Sequence, residues 1–300
     1  MIIAGLTMHS AVPRPLRKLR GRSCIWRSSM ICRARSGTAT AATCEKKVDS
    51  KWLMANSVKL GMFITGTDTA VGKTLVTAVL ARSLKGLGLD VGVMKPVETG
   101  VVKGRSSDAV RLTHAAQVSD SPDLVCPYAF RLPVAPLDAA RTERQTIKIS
   151  TIMKAYRALQ AQHDLLLVEG AGGVHVPITP MIDVLDLIEK LKAPVLVVGR
   201  AGLGGVNHAM LTLNVLRERK IPILALVLNQ TVPAKTAVAR RQERSTVELL
   251  RESAGVPVIG PLPYMAGVDA RVERAVETMA ANSEMKKLTK LVLASARGSH

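Results

Sequence analysis

The stretch Gly66-Thr67-Asp68-Thr69-Ala70-Val71-Gly72-Lys73-Thr74 follows an apolar run, Leu60 to Thr65, and opens a helical pattern. Its residue types suit a phosphate-binding loop. Glycines let the backbone aim N–H groups at phosphate oxygens, Lys73 brings a point charge to the β- and γ-phosphates, and the Thr74 hydroxyl is placed for Mg²⁺. A nucleoside triphosphate is the implied ligand. Five residues, Thr67 to Val71, separate the first glycine from Gly-Lys-Thr, where the usual pattern has four. Three further blocks place charge beside apolar runs or helix starts. Lys95, in Met94-Lys95-Pro96-Val97-Glu98-Thr99-Gly100, is poised to face the nucleotide. Asp108 follows Arg105-Ser106-Ser107 at a helix start, where an acid also serves as an ordinary cap. Glu169 ends the apolar run Leu165 to Val168 and leads into Gly170-Ala171-Gly172-Gly173. Because Mg²⁺ takes one or two carboxylates together with phosphate oxygens and water, Glu169 is expected to ligate it opposite the loop.

An architecture must hold these blocks together. From residue 58 onward short apolar runs alternate with amphipathic helical patterns, the sequence form of a parallel sheet covered on both faces. The patterns predict strands near 60–65, 90–94, 164–168, 194–199, 222–228 and 256–259. They predict helices near 73–86, 106–117, 150–162, 182–192, 205–219, 236–254 and 270–282. Glycine or proline marks most joins, as in Gly86-Leu87-Gly88, Ala193-Pro194 and Gly255-Val256-Pro257. The expected fold is therefore α/β, a doubly wound, mostly parallel sheet with helices on both faces, of phosphate-loop NTPase type. In such sheets ligands bind beyond the carboxyl ends of the strands. The phosphate loop, Lys95 and Glu169 each lie just after a predicted strand. No repeat or low-complexity linker divides residues 58–300, which are read as one nucleotide-binding domain.

Composition narrows the function classes. A hydrophobic content of 47% is ample for a buried core. No apolar run approaches the roughly 18 residues that span a bilayer, so no membrane association is expected. The net charge of +19 is concentrated at one end, since residues 1–53 hold eleven Lys/Arg against Glu45 and Asp49 and carry +9 of it. Aromatics are only 2% of the chain and do not interleave with basic residues, so nucleic acid is not an expected partner. The basic leader, residues 1–57, is expected to be disordered. It reads either as an organellar transit peptide or as an upstream extension from a misassigned start, with Met54 or Met62 opening the domain. The second reading is preferred, because Met54 lies just before the first strand. It makes the protein cytoplasmic; a genuine transit peptide would make it mitochondrial. Three of the four cysteines, Cys24, Cys32 and Cys44, fall in the leader and only Cys126 in the body, which suits a reducing compartment and argues against disulfides or zinc.

Taken together, Thr65 to Thr74, Lys95-Pro96-Val97, Ser107-Asp108, Val168 to Gly173 and Gly204-Gly205-Val206-Asn207-His208-Ala209 resemble, in order and spacing, the dethiobiotin synthase family of biotin biosynthesis. The resemblance spans about residues 58–266. It implies a carbon–nitrogen ligase that uses ATP and Mg²⁺ to close 7,8-diaminononanoate and CO₂ into dethiobiotin, releasing ADP and phosphate, through a carbamate and a carbamic–phosphoric anhydride. It also implies a homodimer that shares the substrate site across its interface. By resemblance, Lys73 and the backbone of Ala70, Val71, Gly72, Thr74 and Leu75 hold phosphates, as do Gly170, Ala171 and Gly172 near the nucleotide. Thr74, Asp108 and Glu169 set Mg²⁺. Lys95 and Lys73 are the catalytic cations, Lys95 neutralising the carbamate and the charge that develops on phosphoryl transfer. Thr99 hydrogen-bonds substrate. Asn229 reads adenine with Gln230 and the backbone of Leu262-Pro263-Tyr264. The helix start Gly204, Gly205, Val206 and Asn207 receives the substrate's acid tail. Gln230 and Ala70 depart from the family's acid and larger polar residue at those positions.

Other residues take bland readings. His114, His163 and His175 have no partner at metal or triad spacing and are expected at the surface or as caps, and His208 orders its helix start. The Met and Leu positions of 205–216 read as core, and Lys286, Lys287 and Lys290 as a solvated face. Two other classes compete with the ligase. A partition-type, DNA-associated ATPase would carry a signature lysine in Thr67 to Val71, and none is there. A catalytically silent regulatory domain of the same fold would have no need to keep Lys73, Thr74, Lys95, Asp108 and Glu169 together.

Overall fold

A computed structural model describes residues 59–103, 107–266 and 272–297. The leader, Arg105 and Ser106 therefore lie outside the described residues, as does the predicted start of a helix at 270. All described residues fall in one compact unit. In chain order the strands are β1 Leu60–Gly66, β2 Val91–Met94, β3 Val97–Glu98, β4 Tyr128–Ala129, β5 Leu165–Gly173, β6 Pro177–Thr179, β7 Ile182–Asp183, β8 Val195–Arg200, β9 Ile223–Asn229 and β10 Val258–Leu262. The helices are α1 Lys73–Gly86, α2 Asp108–Ala116, α3 Pro122–Val125, α4 Pro136–Thr142, α5 Ile149–Gln160, α6 Val184–Leu191, α7 Gly205–Glu218, α8 Ala237–Ser253, α9 Val272–Ala280 and α10 Ser283–Arg297. Six strands form one parallel sheet in the order β10-β9-β8-β1-β5-β2. The chain runs from β1 to the edge strand β2, returns to β5, then crosses β1 to β8.

The apolar runs are nearly continuous because both sheet faces are buried, and alternate residues serve opposite layers. Leu165 and Leu167 pack in one core with α1, α2, α9 and α10, whereas Leu166 and Val168 pack in the other with α4 to α8. Register then places the functional positions. Met94 pairs with Val168 across β2 and β5, so Lys95 and Glu169 are the next residues of neighbouring strands. Gly66 pairs with Gly173.

The six strands and seven helices predicted from sequence are all present, with ends moved by a few residues. Two differences bear on the site. First, β5 continues through Gly173 rather than ending at 168, so the glycine-rich segment is strand before it is loop. It can do so because a Cβ on Gly173 would lie 3.3 Å from the Gly66 carbonyl oxygen. Second, the segment between β2 and α5 is not plain connection. It holds α3 and α4, both begun by proline and four and seven residues long, too short for a periodic signal, and β3 and β4, which pair with each other.

Two side-chain expectations are corrected. His163 is neither a surface residue nor a cap. Its ring is buried, with Nδ1 3.1 Å from Asp90 Oδ1 and Nε2 3.0 Å from Asp120 Oδ2, which staples the start of β2 to the loop before β5. Leu211 is not core but 58% exposed, because the inward face of α7 is formed by Gly205, Ala209, Thr212, Leu213 and Leu216. Lys286, Lys287 and Lys290 are exposed as expected. No described helix is long and apolar enough to cross a membrane.

The packing around His163 yields a test. A Cβ at Gly92 would run into the imidazole ring, which is pinned on both nitrogens and cannot retreat. Gly92→Ala should cost about 1–3 kcal/mol and lower the thermal midpoint by roughly 3–10 °C in a scan of the full chain. An unchanged midpoint would mean that His163 is free to move.

Candidate active site

A cavity of about 410 Å³ opens at the carboxyl ends of β1, β2, β5 and β9. Its floor is the loop between β1 and α1. A Cβ on Gly66 would lie 2.5 Å from the Asp68 carbonyl oxygen and 2.8 Å from Lys73 Nζ, so only glycine lets the loop curl this tightly. Gly72, at φ 95°, turns the chain into α1, which starts without a side-chain cap. The first N–H groups of α1 are thus left for a ligand. Ala70 adopts φ 54°, a left-handed backbone unusual for a side chain with a Cβ. Lys73 Nζ donates to the Asp68 carbonyl at 3.0 Å.

Above the floor stands a buried ionic cluster. Lys95 Nζ lies 2.5 Å from Glu169 Oε1 and 3.3 Å from Asp108 Oδ2, and the Thr74 hydroxyl donates to the same Glu169 oxygen at 2.9 Å. Lys95 is 5% exposed and Glu169 0% exposed, so neither charge is compensated by bulk water. Burial alone would lower the Lys95 ammonium, but the Glu169 and Asp108 carboxylates outweigh it and hold it above the ordinary lysine value. Lys73 shows the opposite balance. Burial and then the Lys95 charge lower it to about 8 against the pull of Glu169, Asp108 and Asp68.

The residues also suit a divalent cation. Glu169 Oε2 is buried without a hydrogen-bond partner, and the Thr74 hydroxyl and the Asp108 carboxylate border the same cluster. Among the described residues no three or more His, Cys, Asp or Glu side chains gather as a self-sufficient metal site. Two carboxylates and a hydroxyl match an ion that draws its remaining ligands from phosphate and water.

The far wall comes from β9. Asn229 Nδ2 donates to the Val71 carbonyl at 3.1 Å, which leaves its buried Oδ1 as a free acceptor. Gln230 also lines the cavity, but its amide is engaged. Nε2 donates to Glu243 at 2.6 Å and Oε1 accepts from Tyr264 N–H at 2.8 Å. Of the residues singled out from sequence, Ala70, Gly72, Lys73, Thr74, Leu75, Lys95, Thr99, Asp108, Glu169, Ala171, Gly172, Asn229, Gln230 and Tyr264 share this cavity. Val71, Gly170, Leu262 and Pro263 do not line it. Gly170 instead meets Phe63, whose ring a Cβ there would approach to 2.8 Å, and the Leu262 carbonyl accepts from Gln230 N–H at 2.9 Å. Gly204, Val206 and Asn207 lie in a second depression of about 680 Å³ that shares no lining residue with the first.

Sequence reasoning gave no role to several residues found here. Glu98 and Arg111 line the cavity, and Arg200 reaches Asp68 Oδ2 at 2.8 Å to brace the phosphate loop from β8. Glu98 had one available signal, an acid three residues from Lys95 in a block otherwise apolar or small. Arg200 had none, because its partner is 132 residues away.

The lowered Lys73 makes a pH prediction. The folded protein sheds this proton near pH 8 and the unfolded chain near 10.5, so the unfolded chain binds more protons between those values. Lys73 therefore makes the nucleotide-free protein more stable as pH rises through that window. Lys73→Met should raise nucleotide-free thermal stability at pH 7, flatten the rise between about pH 8 and 10.5, and abolish stabilisation by ATP. A variant that keeps the full rise would show that another group titrates there.

Comparison with known proteins places the chain in a family. Residues 61–272 match a family model described as an AAA domain. The ATP-dependent dethiobiotin synthetase of Anaeromyxobacter dehalogenans is 45% identical over 198 residues, 63% of this chain and 89% of the relative. That of Thermodesulfovibrio yellowstonii is 38% identical over 245 residues, 78% of this chain and 100% of the relative. Among solved structures, the MinC:MinD cell division complex of Aquifex aeolicus reaches a TM-score of 0.47 at 17% identity, covering 77% of this chain and 96% of that one. With a family model matched across most of the described residues and a relative matched along its whole length, the chain belongs to the ATP-dependent dethiobiotin synthetase family.

Proposed function

We propose that this chain uses ATP to carboxylate 7,8-diaminononanoate with CO₂ and close the ring of dethiobiotin, a ligase reaction that forms carbon–nitrogen bonds. Family membership supports ATP-dependent dethiobiotin synthesis. The observation that carries the detailed reading is the pairing of a buried cation, Lys95, with two carboxylates directly beside a phosphate loop. A lysine so held is preorganised to stabilise negative charge that appears during reaction.

In this reading one substrate amine attacks CO₂ and loses a proton to give a carbamate, whose negative charge Lys95 neutralises. A carbamate oxygen then takes the γ-phosphoryl group and ADP leaves. The second amine attacks the carbonyl carbon, and phosphate departs with that carbamate oxygen. Lys73 and the N–H groups at the start of α1 hold the triphosphate, and Thr99 orients the substrate. Thr74, Asp108 and Glu169 would hold Mg²⁺, which when bound offsets phosphate charge. Asn229, fixed by the Val71 carbonyl, presents an acceptor that suits the exocyclic amine of adenine. Tyr264 and Gln230 complete that wall.

The start of α7 suits the substrate's acid tail by the polarity of its free N–H groups. Since it opens on a different depression, it serves the tail bound to a second copy in a homodimer. Residues 58–300 act as the single catalytic domain, and a cytoplasmic setting follows if the basic leader is no transit signal.

The test is fixation of labelled bicarbonate into acid-stable product by the full chain with ATP, Mg²⁺ and 7,8-diaminononanoate, each omitted in turn. Label should appear only when all are present. Lys95→Ala should still bind ATP but lose turnover by about 10²- to 10³-fold, the scale set by removing one preorganised stabilising group. Turnover unaffected by that change would remove Lys95 from the reaction.

A further inference from the structure

Asp108 and Glu169, read above as the carboxylates that hold Mg²⁺, are anchored very differently. Glu169 is part of β5, between β1 and β2, and is wholly buried. Asp108 is the first residue of α2 and its side chain is 32% exposed. The α2 cap, Ser107, accepts only the Val110 N–H, at 3.3 Å. The N–H groups of Asp108 and Ala109 go instead to another part of the chain. Glu98 Oε1 accepts the first at 2.5 Å and Glu98 Oε2 the second at 3.1 Å.

Glu98 is itself firmly set. It is 6% exposed, its carbonyl accepts Phe130 N–H at 2.8 Å, and it pairs with Ala129 across β3 and β4. The same segment is tied at Lys95, whose N–H donates to the Val125 carbonyl at 2.7 Å. One short stretch of backbone thus carries the catalytic lysine and, three residues later, the carboxylate that grips the start of α2. We infer that Glu98 is a positioning residue for the reaction, fixing through two backbone hydrogen bonds where the Asp108 carboxylate stands relative to Glu169 and Lys95.

The chemistry of the grip is selective. Two adjacent backbone donors at a helix start call for two acceptor oxygens, and negative charge there is favoured by the helix dipole. A glutamine offers one acceptor and turns its NH₂ against the other N–H, while an aspartate is one carbon too short to span both from the same backbone. Glu98 needs no contact with substrate for this role, because both of its oxygens are occupied by α2.

The inference rests on the proposed assignment of Asp108 as a Mg²⁺ ligand, so the test separates the two. ATP binding to the full chain is measured by calorimetry with Mg²⁺ and with a chelator, for the unaltered protein, Glu98→Gln, Asp108→Asn and the double variant. Mg²⁺ should strengthen ATP binding to the unaltered protein. Both single changes should reduce that gain by roughly 10- to 100-fold, the range seen when a group that orients a metal ligand is removed. Metal-free ATP binding should not weaken in either, because each change removes a negative charge near the triphosphate, so a loss confined to the Mg²⁺ arm reports the metal site. The double variant should lose no more than Asp108→Asn alone, because Glu98 acts only through Asp108. If Asp108→Asn reduces the gain and Glu98→Gln does not, or if their losses add, Glu98 does not position Asp108. If Asp108→Asn leaves the gain intact, or the unaltered protein has none, the ligand assignment fails and the inference goes with it. Should Glu98→Gln not fold, Glu98→Asp, which keeps the charge and one of the two bonds, should fall between the unaltered protein and Asp108→Asn; an unaltered gain there contradicts the role.

Discussion

The register between β2 and β5 is the constraint on which the site depends. With Met94 opposite Val168, the next residues along the two strands are Lys95 and Glu169, and opposite charges meet at 2.5 Å as a buried pair on the wall of the cavity. Burying either charge alone would be strongly unfavourable, and removing one partner of such a pair typically costs about 3–5 kcal/mol. The pair is therefore poor evidence for stability and good evidence for use. It keeps a cation at the strand tips where a phosphate loop supplies its own lysine, and burial, with the Lys95 charge adding to it, lowers Lys73 to about 8. A triphosphate entering the cavity would bring negative charge beside both lysines.

Much of the surrounding fold keeps this arrangement rigid. Two buried layers grip the sheet from both sides. Arg200 braces the phosphate loop from β8, and Asn229 pins it from β9. The β3–β4 pair carries the chain from Lys95 to the Glu98 carboxylate without slack. By contrast, the start of α7 faces a separate depression whose rim includes Leu203 and Leu249, 77% and 48% exposed.

What the sequence revealed followed from locality. The phosphate loop is a contiguous string whose glycines have visible backbone duties, and Lys95 and Glu169 stand at the ends of apolar runs long enough to identify as strands. The six sheet strands were legible because each is buried on both faces. Long-range partnerships were not legible. His163 reads as an isolated histidine because Asp90 and Asp120 are 73 and 43 residues away. Gly170 looked like one more nucleotide-facing glycine of its run, yet its missing side chain makes room for Phe63. Glu98, in a two-residue strand, and the proline-begun helices α3 and α4, four and seven residues long, belong to elements below the length at which periodicity speaks. Gln230 was read as an adenine contact, whereas in the structure its amide joins the end of β9 to α8 and to Tyr264.

In the proposed reaction this cluster activates a carbamate oxygen by phosphoryl transfer. The most direct test supplies ¹⁸O-labelled CO₂ and bicarbonate under single-turnover conditions, with ATP, Mg²⁺ and the diamine, and examines the released phosphate by mass spectrometry before isotope exchange with water. A carbamic–phosphoric anhydride requires one labelled oxygen to leave with the phosphate, so phosphate carrying ¹⁸O is the predicted result. Dethiobiotin formed alongside unlabelled phosphate would show that the carbamate oxygen never bonds phosphorus, and would contradict the account.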